Sequence, residues 1–402
     1  SSSSAASDVY KRQEIVGDDL WITGLNSGQW WNTNSMILTK NGTTGNWTTW
    51  STGSGEIPSG YGADILVCDD IIHFAIGKLV WWNDGGIARF DMADHDGNGI
   101  TNEWIDPLTD AGNNGLSDDD SRALACDEVN KILYIGYDSN GVGLDRFNYN
   151  TNTFLPTVTS VDGISEDRVF PGGMLHDGNV LLVASQYDST GGISRIVTSG
   201  ISVTGGQILS PGMDGCSIVR VPSNTPTYAI GRSGQTTGIN RVDLLDSTGL
   251  IASGFDELAG LSSGRVVEFA SNSTHVWVAS TFDGDSYFAT SILQGHILQN
   301  GSIRWEYGYN LLDDDVINSM HLDGDTMWVT TAGRGLYSIN LLQRSYSFTS
   351  PALHGQMDGM ILDDDDGVLY VGLMGNEGSA AGFHSFYTTT LMSDTYTQLT
   401  LP

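Results

Sequence analysis

One stretch of the sequence carries oxygen ligands at the spacing that a calcium loop requires. Asp94, Asp96 and Asn98 alternate with other residues and are followed by Gly99, which gives the pattern D-x-D-x-N-G. Side-chain oxygens at alternate positions converge on a hard cation, and glycine at the sixth position permits the sharp turn. The carbonyl of Ile100 is the next expected ligand. The pattern therefore predicts a Ca²⁺ site.

The predicted calcium loop departs from the EF-hand pattern at its end. Position 12 is Ile105 instead of glutamate, so Glu103 or Asp106 has to complete the ligand set. Strand-like sequences flank the segment, as in the short calcium loops of extracellular repeat proteins. The alternative interpretation is a polar Asx-turn in a chain rich in aspartate and glycine. The predicted ligands are Asp94, Asp96, Asn98, Ile100, Glu103 and Asp106.

A five-residue signature identifies the elements that position these residues. It reads Gly-hydrophobic-x-Arg-hydrophobic, and copies begin at Gly86, Gly143, Gly192 and Gly238, with Ser replacing Arg in copies that begin at Gly335 and Gly382. Most intervals fall in the range of about 40–50 residues, and such a period of short strands is typical of a β-propeller.

A short apolar run, rich in aromatic and β-branched residues, marks each repeat. Eight runs occur, and they begin at Leu20, Ile72, Leu133, Leu181, Thr227, Val276, Met327 and Leu369. Such runs are typical of strands buried on both faces. One strand before each run and two after it give four antiparallel strands, A to D. We therefore predict an all-β fold, a single β-propeller of seven or eight four-stranded antiparallel blades, whose first blade lacks a clear strand A.

The stretch 311–340 adds a more specific pattern. It combines a valine, an Asp-x-Gly turn, a tryptophan-centred strand and a glycine-rich segment before a final strand, carried by Val316, Asp323, Gly324, Trp328, Gly333, Gly335 and Leu336. In these features it resembles the two-component-regulator type of propeller repeat. The stretches 116–148 and 353–386 match more loosely. The resemblance implies a sensor-like propeller that acts as a binding module.

Carboxylates concentrate in two kinds of loop. Because antiparallel strands alternate in direction, the loop from D to the next A and the loop from B to C lie at the same end of a blade. One acidic face is therefore predicted, which would meet a cation or a cationic ligand. The alternative is that these residues serve turns and solubility. The ligand-face candidates are Asp118, Asp119, Asp167, Asp188, Asp283, Asp285, Asp314 and Asp315.

Other chemistry-bearing residues are interpreted as structural. The signature arginines, Arg89, Arg146, Arg195 and Arg241, are expected to pair with carboxylates of a neighbouring strand or blade. The chain has three cysteines, which is an odd number, and they are widely spaced. Neither a disulfide framework nor a zinc ribbon is therefore predicted. The eight histidines are scattered singly, and no catalytic motif stands out.

Adjacent tryptophans offer a second kind of site. Trp30-Trp31 and Trp81-Trp82 must each place one ring on either face of a strand. A ring exposed beside Asn and Asp would be a sugar-stacking platform, whereas blade packing would bury it. Carbohydrate binding is therefore one interpretation of these pairs and core packing is the other.

Composition restricts the partners. The net charge of −31 repels a phosphate backbone, so nucleic acid is not an expected partner, and anionic membrane surfaces are disfavoured. No run of 18 apolar residues occurs, so no membrane span is predicted. A glycan or a protein ligand remains compatible, and the chain is expected to be monomeric.

The beginning of the chain differs from the repeats. Residues 1–13 start without Met and lack the apolar segment of a signal peptide, so we interpret them as translated adapter sequence and expect disorder. The propeller is predicted to span 14–402. We expect the chain to be a piece of a longer exported protein.

These observations favour a non-catalytic, calcium-stabilised ligand-binding propeller located outside the cell, in the periplasm or at the cell surface. One alternative is a carboxylate-based enzyme acting on polysaccharide, a lyase or a glycoside hydrolase. Such an enzyme needs two loop acids held at a fixed distance, one with a raised pKa. Another alternative is a structural repeat of a large surface protein.

Overall fold

A computed structural model describes residues 12–26, 34–52, 55–78, 84–94, 98–110, 115–165, 168–185, 192–209, 214–222, 227–233, 241–246, 249–252, 265–281, 290–299, 301–311, 317–331, 335–348, 356–363, 368–374, 382–387 and 393–398. The chain divides into two compact units, residues 1–215 and 216–402. Within the described ranges the structure is all-β apart from one short 3₁₀ helix, as predicted. In those ranges no helix has the length and apolarity needed to cross a membrane.

The first unit contains four antiparallel sheets of four strands each, hydrogen-bonded in chain order. The first sheet consists of β1 (Arg12–Val16), β2 (Asp19–Asn26), β3 (Asn34–Lys40) and β4 (Trp47–Ser51). The second consists of β5 (Tyr61–Cys68), β6 (Ile71–Gly77), β7 (Gly86–Asp91) and β8 (Glu103–Leu108). The third consists of β9 (Ser121–Asp127), β10 (Ile132–Tyr137), β11 (Leu144–Asn148) and β12 (Thr153–Val158), with the 3₁₀ helix Ser160–Asp162 after it. The fourth consists of β13 (Val169–Asp177), β14 (Val180–Ser185), β15 (Gly192–Ser199) and β16 (Ser202–Leu209).

The second unit repeats the pattern. Its strands begin with β17 (Asp214–Val221), β18 (Thr227–Ser233), β19 (Arg241–Asp246) and β20 (Gly249–Ala252). They continue with β21 (Arg265–Ser271), β22 (His275–Thr281), β23 (Thr290–Ile297) and β24 (Ile303–Leu311). Next come β25 (Ile317–Asp323), β26 (Thr326–Thr331), β27 (Gly335–Asn340) and β28 (Ser345–Phe348). The last are β29 (Gln356–Asp363), β30 (Val368–Met374), β31 (Gly382–Tyr387) and β32 (Ser393–Gln398).

The strands of the described ranges form seven hydrogen-bonded sheets, six with four strands and one with eight. The eight-stranded sheet joins β17–β20 to β21–β24 through a single bridge between Ser233 and Arg265. The seven sheets therefore hold eight four-stranded repeats. The predicted four-strand antiparallel unit is confirmed, and the eight apolar runs correspond to the second strand of each repeat.

The first repeat has a strand A, contrary to expectation. β1 pairs antiparallel with β2 from Arg12 opposite Thr23 to Val16 opposite Asp19. The sequence of β1, RQEIV, holds only two aliphatic residues, so its apolar signal is weak. Two of its residues fall inside the segment interpreted as adapter sequence, and residues 1–11 of that segment lie outside the described ranges.

Backbone geometry explains the glycine of the repeated signature. Gly86, Gly143, Gly192 and Gly335 each open or immediately precede the third strand with φ values of 146°, 81°, 149° and 102°. A side chain is strained at these angles. At Gly86 and Gly143 an added Cβ would also collide with the carbonyl oxygen of the fourth strand, at Leu108 and Val158 respectively. The signature therefore marks close contact between the third and fourth strands.

Buried side chains join adjacent sheets of the first unit. All residues of β6, β10 and β14 are buried, as expected for strands covered on both faces. Between the first two sheets, the Trp21 ring centroid lies 4.7 Å from that of Phe90, which lies 5.2 Å from that of Trp104. Aromatic packing of this kind positions β8, the strand that follows the predicted calcium loop.

A disulfide bond also joins two sheets, which the sequence analysis did not predict. Cys68 at the end of β5 is bonded to Cys126 near the end of β9, with Cα atoms 6.1 Å apart. The partners are 58 residues apart in sequence. The two cysteines are close because the second and third sheets pack face to face. The spacing of the cysteines in the sequence therefore gave no sign of the bond.

Candidate functional site

A cavity of about 390 Å³ lies in the first unit, where strand β8 approaches the turn between β11 and β12. Three asparagines, a threonine and two carboxylate residues line it together with a buried arginine and apolar groups. The lining residues are Ile71, Arg89, Asn98, Glu103, Trp104, Ile105, Asp106, Tyr149, Asn150, Thr151 and Asn152. The cavity therefore combines residues of two sheets and includes three of the predicted calcium ligands.

Arg89 on β7 fixes the inner wall of the cavity. Its Nε donates to the Asp106 carbonyl oxygen at 2.9 Å, its Nη2 donates to the same oxygen, and its Nη1 donates to Asn152 Oδ1 at 3.1 Å. The guanidinium also lies over the Phe147 ring, 5.1 Å from its centroid. Burial lowers the pKa of Arg89 to about 10, and it remains charged at neutral pH. Its role is to hold β8 against the next sheet.

Arg146 on β11 repeats this arrangement one sheet further along the chain. Its Nε and Nη2 donate to the Pro156 carbonyl oxygen at 2.8 and 2.6 Å, and its Nη1 donates to the Ile201 carbonyl oxygen at 2.8 Å. Each arginine thus binds its own fourth strand and the turn of the following sheet. The predicted structural role is confirmed for both, but the expected carboxylate partners are wrong, because carbonyl and amide oxygens accept these bonds. The side chain of Arg241 lies outside the described residues.

Tyr149 and its partners form another wall. The Tyr149 hydroxyl donates to Asp69 Oδ2 at 2.8 Å, and Lys131 Nζ lies 2.8 Å from the same oxygen. Burial and the Asp69 charge raise the pKa of Tyr149, so the phenol stays protonated as a donor. The phenol, the carboxylate and the ammonium group of this wall are thus already bonded to one another.

The predicted calcium loop forms the cavity edge in part. Asp94 Oδ1 accepts the Gly99 N–H at 3.0 Å, and Asn98 Oδ1 accepts the Ile100 N–H at 2.8 Å. Asn98 Nδ2 lies 2.5 Å from Glu103 Oε1, so the structure brings these two predicted ligands together. Asp106 also lines the cavity, and Asp96 lies outside the described residues. Across the part of the chain that the structure describes, no three His, Cys, Asp or Glu side chains are already arranged as a metal site.

Two acidic candidates lie at the opposite end of the second and third sheets. Asp119 forms an ion pair with Lys78, and both residues lie in segments that connect strands. Asp118 Oδ1 accepts the Asp120 N–H at 2.8 Å, which closes an Asx-turn before β9. The Lys78 N–H donates to Asp120 Oδ1 at 2.8 Å. These carboxylates therefore tie the loop to the second sheet.

Arg122 brings the two kinds of loop together, as the strand directions predict. It forms an ion pair with Asp138 of the loop after β10, and its Nε lies 3.7 Å from Asp120 Oδ1 in the loop before β9. Arg168 Nε lies 3.8 Å from Asp138 Oδ1. Burial raises the pKa of Asp120 to about 6, although Arg122 opposes this shift.

Several predicted positions fall outside the described residues. These are Asp167, Asp188, Asp283, Asp285, Asp314 and Asp315 of the ligand face, and the pairs Trp30-Trp31 and Trp81-Trp82. Conversely, Asn150 and Asn152 line the cavity and were not singled out. They sit in an ordinary polar turn, NYNTNT, whose composition gives no sign that a neighbouring sheet covers it.

Comparison with known proteins shows the fold. The chain matches no protein-family model, and no curated protein matches it in sequence. Among solved structures, it is similar to the dihydro-heme d1 dehydrogenase NirN (TM-score 0.61, 12% identity, covering 96% of this chain and 74% of that one). It is also similar to the β-propeller domain of Cps50 (Swd1) from Myceliophteria thermophila (0.51, 11%, 80% and 95%). A third is PorZ, a surface component of the type-IX secretion system of Porphyromonas gingivalis (0.54, 13%, 94% and 57%).

These similarities establish a β-propeller. The three proteins differ in role, since one is named as a dehydrogenase and another as a secretion-system component. At such low identities the likeness concerns the fold alone, and function has to be argued from the site.

Proposed function

We propose that this protein is a non-catalytic ligand-binding propeller of the sensor-like type and that its ligand site is the cavity beside β8. The observation that carries the proposal is the lining. Asn150 and Thr151 supply neutral donors and acceptors, whereas the Asn98 amide and the Arg89 nitrogens already bond to protein groups. An uncharged ligand with several hydroxyl groups, such as a glycan, suits a concave site with convergent neutral polar groups.

A glycan panel tests this proposal. We expect at least one oligosaccharide to bind the wild type in calorimetry and the Asn150→Ala variant to bind it at least about tenfold more weakly, since one lost hydrogen bond is worth roughly that factor. Gln343→Ala is the matched control, because it removes an exposed amide from the equivalent turn between β27 and β28. Equal binding by the wild type and Asn150→Ala, or no binding across the panel, contradicts the proposal.

Export and calcium binding belong to the same proposal. A disulfide between adjacent sheets supports an oxidising compartment, where such bonds form and persist. The contact between Asn98 and Glu103 supports a calcium loop at the cavity edge, because two of the predicted ligands already meet there. Calcium would then stabilise the loop that closes one side of the ligand site.

A second candidate is an enzyme that uses carboxylates at the Arg122 end. Asp120 has a raised pKa. The Asp138 N–H donates to the carbonyl oxygen of Asp120 at 3.0 Å, so these two loop acids are adjacent. Two adjacent loop acids, one of them with a raised pKa, are what such an enzyme requires. The enzyme is favoured if the protein cleaves a polysaccharide and Asp120→Asn abolishes the cleavage while Asp84→Asn, an exposed control, retains it. If a broad polysaccharide panel shows no cleavage, only the binding proposal is left.

A further inference from the structure

The cavity beside β8 carries an excess of negative charge. Glu103 and Asp106 line it, and Arg89 is the single cationic residue among the described residues of the lining. Burial lowers the pKa of Arg89, and the charges of Asp106 and Asp91 oppose that shift, so both carboxylates lie close enough to act on the guanidinium. With Glu103, three carboxylates share this region with one guanidinium.

The cations near the cavity are already bonded to protein groups. Three nitrogens of Arg89 donate to protein oxygens, and Lys131 Nζ lies 3.0 and 2.8 Å from the two carboxylate oxygens of Asp69. Glu103 is different, because its contact with the described residues is the one between its Oε1 and Asn98 Nδ2, at 2.5 Å. The Oε2 atom of Glu103 therefore has no cation beside it within the described ranges.

The opposite side of the cavity is neutral. Asn150 and Thr151 belong to the turn between β11 and β12, and their side chains offer donors and acceptors without charge. A ligand that contacts both sides meets a carboxylate on the β8 side and neutral polar groups on the turn side. The lining therefore distinguishes a ligand with one positive group and several hydroxyls from a fully neutral one.

We propose that the ligand of this cavity is an amino-sugar oligosaccharide, whose ammonium group binds Glu103 and whose hydroxyls bind Asn150 and Thr151. The inference rests on the proposed glycan-binding function and names the class of glycan. An ammonium group has three N–H donors and no acceptor, which suits a carboxylate, and charge-assisted hydrogen bonds are about twice as strong as neutral ones. The net charge of −31 also attracts a cationic oligosaccharide toward the protein.

Calorimetry with two matched oligosaccharides tests this proposal. Short chitosan oligomers and cellulose oligomers of the same length have the same backbone, and chitosan carries an amine where cellulose carries a hydroxyl. In a buffer that protonates the amine, we expect the wild type to bind the chitosan oligomer at least about tenfold more tightly. The protein is stripped with chelator beforehand, because calcium would compete for Glu103 and Asp106.

Glu103→Gln is the decisive variant, because glutamine keeps an oxygen acceptor for Asn98 and removes the charge. It should lose the preference and bind the two oligomers within about threefold of each other. Glu56→Gln, in the loop between β4 and β5, removes the same charge at the opposite end of the second sheet and should keep the wild-type preference. Thermal melts confirm that both variants are folded.

Salt gives an independent readout, since ions screen a charged contact more than a neutral one. Added sodium chloride should weaken the binding of the chitosan oligomer to the wild type and change that of the cellulose oligomer little. Equal effects of salt on the two oligomers would contradict the ammonium contact.

The remaining outcomes separate this inference from the proposed function. Equal affinity of the wild type for both oligomers, or a preference that persists in Glu103→Gln, would overturn the amino-sugar assignment alone. The same holds if another glycan of the panel binds, Asn150→Ala weakens it, and chitosan does not bind. No binding by any oligosaccharide would overturn both the assignment and the proposed function.

Discussion

The second and third sheets are joined differently at their two ends. At the end formed by the A–B and C–D turns, which we call the turn end, the contacts include the Cys68–Cys126 disulfide, the Arg89 hydrogen bond to Asn152, and the bonds that Lys131 and Tyr149 make to Asp69. At the end formed by the D–A and B–C loops, the loop end, Lys78 pairs with Asp119 and the Lys78 N–H donates to Asp120. The turn end therefore combines a covalent bond, a neutral acceptor and one carboxylate, whereas the loop end depends largely on carboxylates and has no such covalent bond among the described residues.

This difference shows that charge alone does not identify a functional site. Arg89 is buried and charged, yet neutral oxygens accept its hydrogen bonds, so these bonds should change little with pH. Arg122 lies between Asp120 and Asp138, and burial raises the pKa of Asp120 to about 6. The disulfide of the turn end should respond to reduction, and the Asp120 contacts of the loop end should respond to pH. Four predictions test this contrast.

The largest effect is expected from the disulfide. Cys126→Ser should lower the free energy of unfolding by up to about 4 kcal/mol, because the bridge closes a loop of 58 residues in the unfolded chain. Urea denaturation with and without reductant measures it, and the wild type in reductant should match the variant. Cys216→Ser is the control, since Cys216 is not part of this bridge. A wild type indifferent to reductant would contradict the contrast between the ends.

Removing the Arg89 guanidinium should have the next largest effect. Arg89→Met keeps the aliphatic part and leaves the Asp106 carbonyl and the Asn152 amide without their donor, so we expect a loss of about 3 kcal/mol in urea denaturation. Arg344→Met, at an exposed turn, should change stability by less than about 0.5 kcal/mol. Equal losses in the two variants would show that Arg89 does not join the sheets.

A pH effect is expected at the loop end. The folded-state pKa of Asp120, about 6, lies above its ordinary 3.8, so the unfolded chain releases this proton first. The free energy of unfolding relative to Asp120→Asn should therefore fall, by on the order of 2 kcal/mol, as pH rises from about 4 to about 6, and then level off. Denaturation of both proteins across this range measures the difference. A difference that does not vary with pH would refute the assignment.

The smallest effect is expected from calcium at the turn end. At ten times its dissociation constant, calcium should stabilise the folded protein by about 1.4 kcal/mol and raise the melting temperature accordingly. Asp96→Ala should abolish the increment, while Asp120→Asn, at the loop end, should retain it. A chelator-stripped sample whose melting temperature ignores calcium would leave the loop as an Asx-turn.

Sequence patterns predicted the strands well, because each repeat carries local signals. The apolar runs gave the second strand, and the glycine signature marked the third because its positive φ admits no other residue comfortably. β1 was missed because it is weakly apolar and lacks those signals.

The contacts that matter chemically depend on which sheets and strands meet. Cys68 and Cys126 meet across two sheets, and Glu103 and Asn150 line one cavity although they belong to different sheets. The raised pKa of Asp120 reflects burial by neighbouring loops. None of these relations has a fixed spacing in sequence, so periodicity cannot reveal them, whereas the face shared by the loops of Asp120 and Asp138 followed from strand direction alone.

The arginine contacts also impose an order on the newly made chain. Arg89 reaches forward 63 residues to Asn152, and Arg146 reaches forward 55 residues to Ile201. During translation, each of these sheets must wait for the ribosome to deliver the following one before its arginine is satisfied. A polypeptide halted between these repeats would keep the arginine's bonds to its own fourth strand, but the Nη1 nitrogen at the growing edge would lack its acceptor.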